Sequence, residues 1–324
     1  MIVLNHDDVA TLLPWAMLTE QFKRVLCNDT SVSPPRLQFE LSDGAHDLGT
    51  LLVMPAWRDD ALIGLKTVTI WESNRARGRA SHGASYIIIN ARSGVVEAIL
   101  DGGMLTERRT AAMSAAAASC LMRQDTMRML VVGTGPVARS LAQAHAACHS
   151  FETIEIFGRR EKAASEMAAE LRDAGLPTSQ CGNLEEAVRS ADLIVTATSA
   201  TTPIVHGRWL KPGAHLSLIG SFKPTMREVD GETFRRAGQV WLDDCAALAE
   251  SGDLLDAIAE GCLDESRIDG NLRSLLRSSR RPAPHDITIF KCAGFAAADL
   301  IAAEFALARA SSGTVGASPR ALAL

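Results

Sequence analysis

Residues Met129 to Ser140 read Met-Leu-Val-Val-Gly-Thr-Gly-Pro-Val-Ala-Arg-Ser: a short apolar strand, a glycine turn and the start of a helix. Gly133, Gly135 and Ala138 occupy the three small positions of a G-x-G-x-x-G/A fingerprint. Gly133 permits the tight turn, Gly135 lets a pyrophosphate approach the backbone, and Ala138 lets the helix pack close to the strand. With Thr134, Pro136 and Val137 they form a cradle at a helix start, where free N–H groups and the helix dipole favour an anion. Pro136 suits the first helical turn because its missing N–H leaves no bond unmade. The run after it is helical (Val137, Leu141, Ala144, His145, Cys148), and Thr153-Ile154-Glu155-Ile156-Phe157 follows as a second strand. That completes the βαβ unit a dinucleotide site requires.

Further apolar runs alternate with helical segments: Asp192 to Ser199, His215 to Ser221, Gln239 to Asp243 and Asp286 to Lys291. This is the pattern of a doubly wound α/β fold with a parallel sheet. Ligands of such sheets bind at the carboxyl ends of the strands, which places Thr198, Ser199, Gly220, Ser221 and Phe222 near the cofactor. The end of the second strand separates two dinucleotides: an acidic residue there binds the ribose 2′-OH of NAD, and an arginine accepts the 2′-phosphate of NADP. Here Phe157 is followed by Gly158-Arg159-Arg160, while Glu155 falls two residues early. Two guanidiniums beside a glycine suit a phosphate, so NADPH is favoured with NADH as the alternative. A solvated helix start would look the same.

The flanking sequence differs. Asp7 to about Cys27 is helical, with Pro14 placed to kink or divide it. Arg36 to Leu41, Leu48 to Met54, Ala61 to Trp71 and Tyr86 to Asn90 read as strands of a mainly antiparallel sheet. Asp101-Gly102-Gly103 reads as a turn, with Thr106 capping a long, small-residue helix from Leu105 to Leu121. A last alanine-rich helix runs from Gly294 to about Ala310, and the tail from Ser311 reads as frayed.

At 324 residues the chain suits two domains, and a 47% hydrophobic content supports large cores. A net charge of −5 without a basic, aromatic-interleaved run argues against nucleic acid. No apolar stretch spans a bilayer, and the N-terminal residues lack a signal pattern, so a cytoplasmic location is expected. The seven cysteines are scattered without C-x-x-C, and the eight histidines lack metal spacing; neither a disulfide framework nor a metal site is expected.

Along nearly its whole length the chain resembles the ornithine cyclodeaminase/mu-crystallin family. The resemblance rests on Pro35-Arg36, Met54-Pro55, Gly64-Leu65-Lys66, Asn74, Leu105-Thr106 with Arg109-Thr110-Ala111-Ala112, the Gly133 fingerprint, Thr196-Ala197-Thr198, Phe290-Lys291, Gly294 and Asp299. It implies an α/β chain in which a Rossmann doubly wound nucleotide domain (121–294) is inserted in a mainly antiparallel α+β domain (1–120 plus 295–324). The outer domain would bind substrate and form a homodimer. It also implies that Lys66, Arg36 and Arg109 hold a substrate α-carboxylate beside the nicotinamide, a role that bidentate arginine suits. Ser81 and His82, in the Arg79-Ala80-Ser81-His82 loop, are weaker candidates, with a solvated loop histidine as the alternative.

One position departs from the cyclodeaminase pattern. Those enzymes carry Gly-x-Asp where this chain has Gly220-Ser221-Phe222. Phenylalanine cannot pair with an ammonium or accept a proton. The form Gly-Ser-Phe-x-Pro-Thr-Met-Arg-Glu is instead similar to the branch that reduces cyclic ketimines. The expected reaction is NAD(P)H-dependent reduction of Δ1-pyrroline-2-carboxylate to L-proline, of Δ1-piperideine-2-carboxylate to L-pipecolate, or of both. Phe222 would sit beside the small cyclic imino acid, and Lys66 is the candidate proton relay. A cyclodeaminase-type lyase, and a non-catalytic protein binding NADPH and a small ligand, are the two alternatives.

Overall fold

The structure is a computed structural model that describes residues 1–42, 44, 47–58 and 61–313. The tail expected to fray from Ser311 therefore lies mostly outside the described residues. The chain divides into two compact units, one of Met1–Gln21, Asn28–Arg109 and Phe295–Leu324, the other of Phe22–Cys27 and Thr110–Gly294.

The first unit is built on a six-stranded sheet. Its strands are β1 (Ile2–Leu4), β2 (Leu37–Ser42), β3 (Asp47–Trp57), β4 (Leu62–Ile70), β5 (His82–Asn90) and β6 (Val96–Asp101). The order is β1-β6-β5-β4-β3-β2, antiparallel throughout except for the parallel β1–β6 pair. Strands β1 and β6 add to the four the sequence pattern suggests. The N-terminal helical segment is split at Pro14 into α1 (His6–Leu12) and α2 (Trp15–Leu26), as expected of a residue that cannot donate to the preceding turn. Asn5 caps α1 by accepting from Asp7 N–H and Asp8 N–H.

The expected turn at Asp101-Gly102-Gly103 is instead a helix start. Helix α3 (Gly102–Leu121) begins three residues earlier than its composition suggests. Asp101 Oδ1 accepts the Met104 N–H at 2.7 Å, and Thr106, expected as the cap, lies inside the helix and donates to Gly102 O. An aspartate cap tolerates two glycines in the first turn because it satisfies the donors they leave.

Alternation along the strands gives this sheet one covered face and one open face. Register puts Met54, Lys66, Tyr86 and Leu100 in one row across β3, β4, β5 and β6. The closing helix Ala296–Ser311 packs on β3 and β4 over this covered face, with Met54, Ala56, Ala296 and Leu300 as a small buried core. Gly64 is required here, because a Cβ would collide with the Tyr86 hydroxyl. The other face carries Leu37, Phe39 and Leu41 on the edge strand β2, all exposed.

The second unit holds an all-parallel eight-stranded sheet: β7 (Arg128–Val132), β8 (Thr153–Phe157), β9 (Thr178–Gln180), β10 (Leu193–Thr196), β11 (His215–Leu218), β12 (Ala237–Leu242), β13 (Ile268–Asn271) and β14 (Ile287–Lys291). Its order is β13-β12-β14-β11-β10-β7-β8-β9. Strands β10, β11 and β14 are buried at every residue, as strands covered on both faces must be. The chain leaves β7 through α4 (Pro136–Cys148) to β8, continues through α5 (Glu161–Asp173) to β9, then returns to β10 on the opposite side of β7. The reversal of strand order thus falls between β7 and β10, the position where open α/β sheets form their ligand crevice.

Candidate functional site

The carboxyl edge of the parallel sheet is aligned by its register. Phe157, Val132, Thr196 and Leu218 stand in one row across β8, β7, β10 and β11. The next residues, Gly158, Gly133, Ala197 and Ile219, therefore open the adjoining loops together. Gly133 has φ +133°, and a Cβ there would strike the Ala197 carbonyl, so both conformation and space demand glycine. Gly135 is the N-cap of α4 and has no heavy atom within 4 Å of a would-be Cβ. Pro136 is at the first helical position, and no side chain caps this end of α4. The first turn thus presents its N–H groups to whatever approaches Gly135, and the arrangement fits a pyrophosphate. Thr134 and Val137 flank the turn, Ala138 is buried under it, and Gly158 has room only for hydrogen against the Thr134 side chain. Arg159 and Arg160 follow, exposed and in no ion pair among the described residues.

The loops after β10 and β11 are tied to one another by a buried carboxylate. Glu228 Oε1 accepts from the Thr198 N–H (2.7 Å) and Thr198 Oγ1 (2.9 Å). Its Oε2 accepts from Thr196 Oγ1 (2.7 Å) and the Gly220 N–H (2.8 Å). Burial pushes the Glu228 carboxyl up, and Lys291 pulls against it. Asp253 Oδ1 in turn accepts the N–H groups of Glu228 and Val229, while its Oδ2 pairs with Lys291 Nζ at 3.2 Å. Ser221 Oγ donates to Met226 O and accepts the Asp253 N–H. These bonds explain why the strands stop at Thr196 and Leu218 rather than running to Ser199 and Ser221: the Ala197 and Ile219 N–H groups still bond to the sheet, but those of Thr198 and Gly220, two residues on, turn to Glu228. Phe222, next in the loop, is half-buried with Lys223 Nζ 6.0 Å from its ring centre, and Ser199 is exposed.

In the first unit, the covered face of the sheet carries an ionic cluster. Lys66 Nζ lies 2.6 Å from Asp299 Oδ2, and Arg109 Nε lies 3.0 Å from Asp299 Oδ1. All three are buried, Asp299 completely. Arg36 precedes β2 by one residue, where the Leu37–Val53 register extends the row of Met54 and Lys66. Its charge is felt at Lys66. Burial lowers the Lys66 ammonium to about 8; Asp299 pulls it up, while Arg109 and Arg36 push it down. Burial alone would raise the Asp299 carboxyl, but Arg109 and then Lys66 hold it below the usual carboxylate range. Tyr86, opposite Lys66, is fully buried with an unbonded hydroxyl. A carboxylate entering among these cations gains charge-assisted bonds in a poorly hydrated setting.

Sequence reasoning singled out Lys66, Arg109 and Arg36, and the structure brings them together. It sets Ser81 apart. Ser81 adjoins the Ile70–His82 pair, four pairs along the β4–β5 ladder from Lys66 and Tyr86, roughly 13 Å at the usual strand rise. Its hydroxyl meets His82 Nδ1 at 2.9 Å, beside an open recess of about 490 Å³ that Thr69, Trp71 and Asn74 also line. Asp299 and Glu228 were given no role, although both lie in segments carrying the resemblance. The signal for Asp299 was present: one aspartate inside Ala-Ala-Ala-Asp-Leu-Ile-Ala-Ala must find a buried cation or be expelled. No His, Cys, Asp or Glu cluster suited to a metal ion occurs among the described residues, and none of their helices is long and apolar enough to cross a membrane.

The ornithine cyclodeaminase/mu-crystallin family profile matches residues 4–314. A Δ1-pyrroline-2-carboxylate reductase of Paracoccus denitrificans is 34% identical over 319 residues, 96% of this chain and 97% of that one. The ketimine reductase mu-crystallin of Mus musculus is 34% identical over 272 residues, 83% of each chain. Among solved structures, Thermococcus litoralis Δ1-pyrroline-2-carboxylate reductase in complex with NADH and L-proline is similar over 98% of this chain and all of that one, with a TM-score of 0.90 and 27% identity.

Proposed function

Because this chain belongs to the ornithine cyclodeaminase/mu-crystallin family, we propose that it is an NAD(P)H-dependent oxidoreductase that reduces cyclic ketimines. Its substrate is Δ1-pyrroline-2-carboxylate, yielding L-proline, or Δ1-piperideine-2-carboxylate, yielding L-pipecolate, or both. The observation that carries this reading is the buried group of Lys66, Arg109 and Asp299 with Arg36 in the same row. It is built to receive one small carboxylate. The reductases similar to this chain, one of them bound to NADH and L-proline, supply the reaction.

The nucleotide is held by Gly133, Thr134, Gly135, Pro136, Val137 and Ala138 at the α4 end, with Gly158, Thr198, Ser199 and Gly220 on neighbouring loops. When bound, it supplies a hydride. Arg159 and Arg160 favour NADPH, through the 2′-phosphate, over NADH. Arg36, Lys66 and Arg109 fix the carboxylate and so orient the ring carbon of the C=N bond. Lys66, protonated below about pH 8, is the source of the proton the nitrogen needs to become an amine. An imine so protonated is already electrophilic, which leaves orientation and charge as the main contributions of the protein. Phe222 lacks the carboxylate that deamination of ornithine uses, which speaks for the reductase over the lyase.

We assign the open sheet face with Leu37, Phe39 and Leu41 to a second copy of the chain, giving a homodimer, because edge-strand apolar residues are otherwise a liability. Free cysteines fit a cytoplasmic setting.

The test is NADPH oxidation, followed by absorbance, with each imine and with NADH in parallel. Rapid oxidation with either imine is expected, faster with NADPH. Ammonia release from ornithine, without imine reduction, would establish the lyase instead. NADPH binding without turnover in either assay would establish a binding protein.

A further inference from the structure

The helix that closes the first unit contributes one charge to its interior. Asp299 is in the first turn of Ala296–Ser311, where the helix dipole favours an acid. It is fully buried and separated by 233 residues from Lys66 and by 190 from Arg109. Each carboxylate oxygen takes one cation: Oδ2 the Lys66 ammonium, Oδ1 the Arg109 Nε–H. The carboxylate therefore fixes how far apart the two cations stand and which way the Arg109 guanidinium turns. Side chains as long as lysine and arginine otherwise have several rotamers, and a small rigid acid rewards only one arrangement of donors.

We propose that Asp299 is a positioning residue of this enzyme, bridging Lys66 and Arg109 into the single geometry that receives the substrate carboxylate. The assignment rests on the ketimine reductase reading above. It also bears on protonation. The charges acting on Lys66 are Asp299 on the closing helix, Arg109 on α3 and Arg36 before β2, and its ladder neighbour on β5 is the neutral Tyr86. Only Asp299 among them is an anion, so it alone works to keep the proton on Lys66 against burial and two guanidiniums.

Asp299→Asn tests this. Its amide can accept from one cation but points an N–H₂ at the other. The expected result is a fall of about tenfold or more in kcat/KM for the imine, carried mainly by KM. In addition, the alkaline limb of kcat/KM, expected near pH 8 in the parent if Lys66 supplies the proton, should move to lower pH. NADPH affinity, read by fluorescence titration, should stay unchanged. A merely structural aspartate would lower thermal stability yet leave the KM and the limb where they were, and that outcome overturns the proposal. If the Asn variant does not fold, Asp299→Glu decides: raised KM with the limb in place supports the assignment, and parental KM overturns it. Failure of the unmodified protein to reduce either imine would instead defeat the reductase reading itself.

Discussion

Each unit of this protein buries an ionic cluster, and the two are composed differently. In the doubly wound unit, two carboxylates, Glu228 and Asp253, share one lysine, Lys291, and their oxygens take up N–H and O–H groups of the surrounding loops. In the antiparallel unit, one carboxylate, Asp299, is ringed by cations. Taking charge out of water is costly and is offset only by good partners. Where the partners are mostly backbone donors, the charge shapes the chain. Where cations gather on one small acid, the site is prepared for a further anion. On the proposed function, the difference separates a cluster that would hold a cofactor loop from one that would meet the substrate.

The sharpest way to break this comparison is to neutralise one member of the cationic cluster. Lys66→Met should reduce kcat/KM for the imine by about a thousandfold, in the range a positioned acid supplies. NADPH affinity should be unaltered, because no nucleotide contact is assigned to that strand. Steady-state kinetics with a parallel binding titration measures both, and an unchanged kcat/KM would remove Lys66 from the chemistry. Next in size is the dinucleotide preference. Arg159→Ala combined with Arg160→Ala should shift the NADPH/NADH ratio of kcat/KM toward NADH by about 10–100-fold, the loss of charge-assisted contacts to one phosphate. If the ratio stays put, these two exposed guanidiniums are only a solvated helix start.

The sequence made the second of these predictions available before the first. The G-x-G-x-x-A turn, the apolar runs and Arg159-Arg160 are local, and a parallel α/β unit follows from local periodicity. The first-unit cluster is not local: Lys66, Arg109 and Asp299 come from a strand and two helices more than 40 residues apart in sequence. Periodicity cannot show that they meet; only the resemblance singled out the cations, and their acid was left without a role. The misread turn at Gly102-Gly103 has a similar cause. Glycine usually ends helices, and here a preceding aspartate supplies the missing acceptor. Strand ends at Thr196 and Leu218 were overrun because their terminator, Glu228, lies 32 and 10 residues downstream.

A smaller effect is expected from the anionic cluster. Glu228→Gln keeps size and shape, but the amide nitrogen must face N–H or O–H groups that now donate to an oxygen. Leaving such donors unmet costs about 2 kcal/mol, roughly 4–8 °C in the melting temperature of a unit of this size. The KM for NADPH should rise with it, since Thr198 and Gly220 lose their common anchor, while the KM for the imine should hold. A variant that instead raised the imine KM alone would erase the distinction between the two clusters.

Acid and alkali should act on different units. His145 and His215 are buried in the doubly wound unit beside Ser114 and Thr288, and burial lowers both to about 3. The unfolded chain takes up those protons near pH 6.5 and the folded chain does not. Stability is therefore complete above pH 6.5 and falls as pH drops toward 3, by about 1.4 kcal/mol per pH unit for each histidine. Lys66 has the opposite consequence. Its folded value of about 8 lies below the unfolded 10.5, so deprotonation above pH 8 relieves a folding cost while, on the proposed mechanism, removing the proton the imine nitrogen needs. Calorimetry and kcat/KM followed over the same pH series should thus diverge, with unfolding on the acid side and loss of turnover without unfolding on the alkaline side. Replacing His145 by Gln should reduce the acid sensitivity of the melting temperature and leave the alkaline limb of kcat/KM unmoved. An alkaline limb that followed the melting curve would place the titrating group in the scaffold rather than at the substrate.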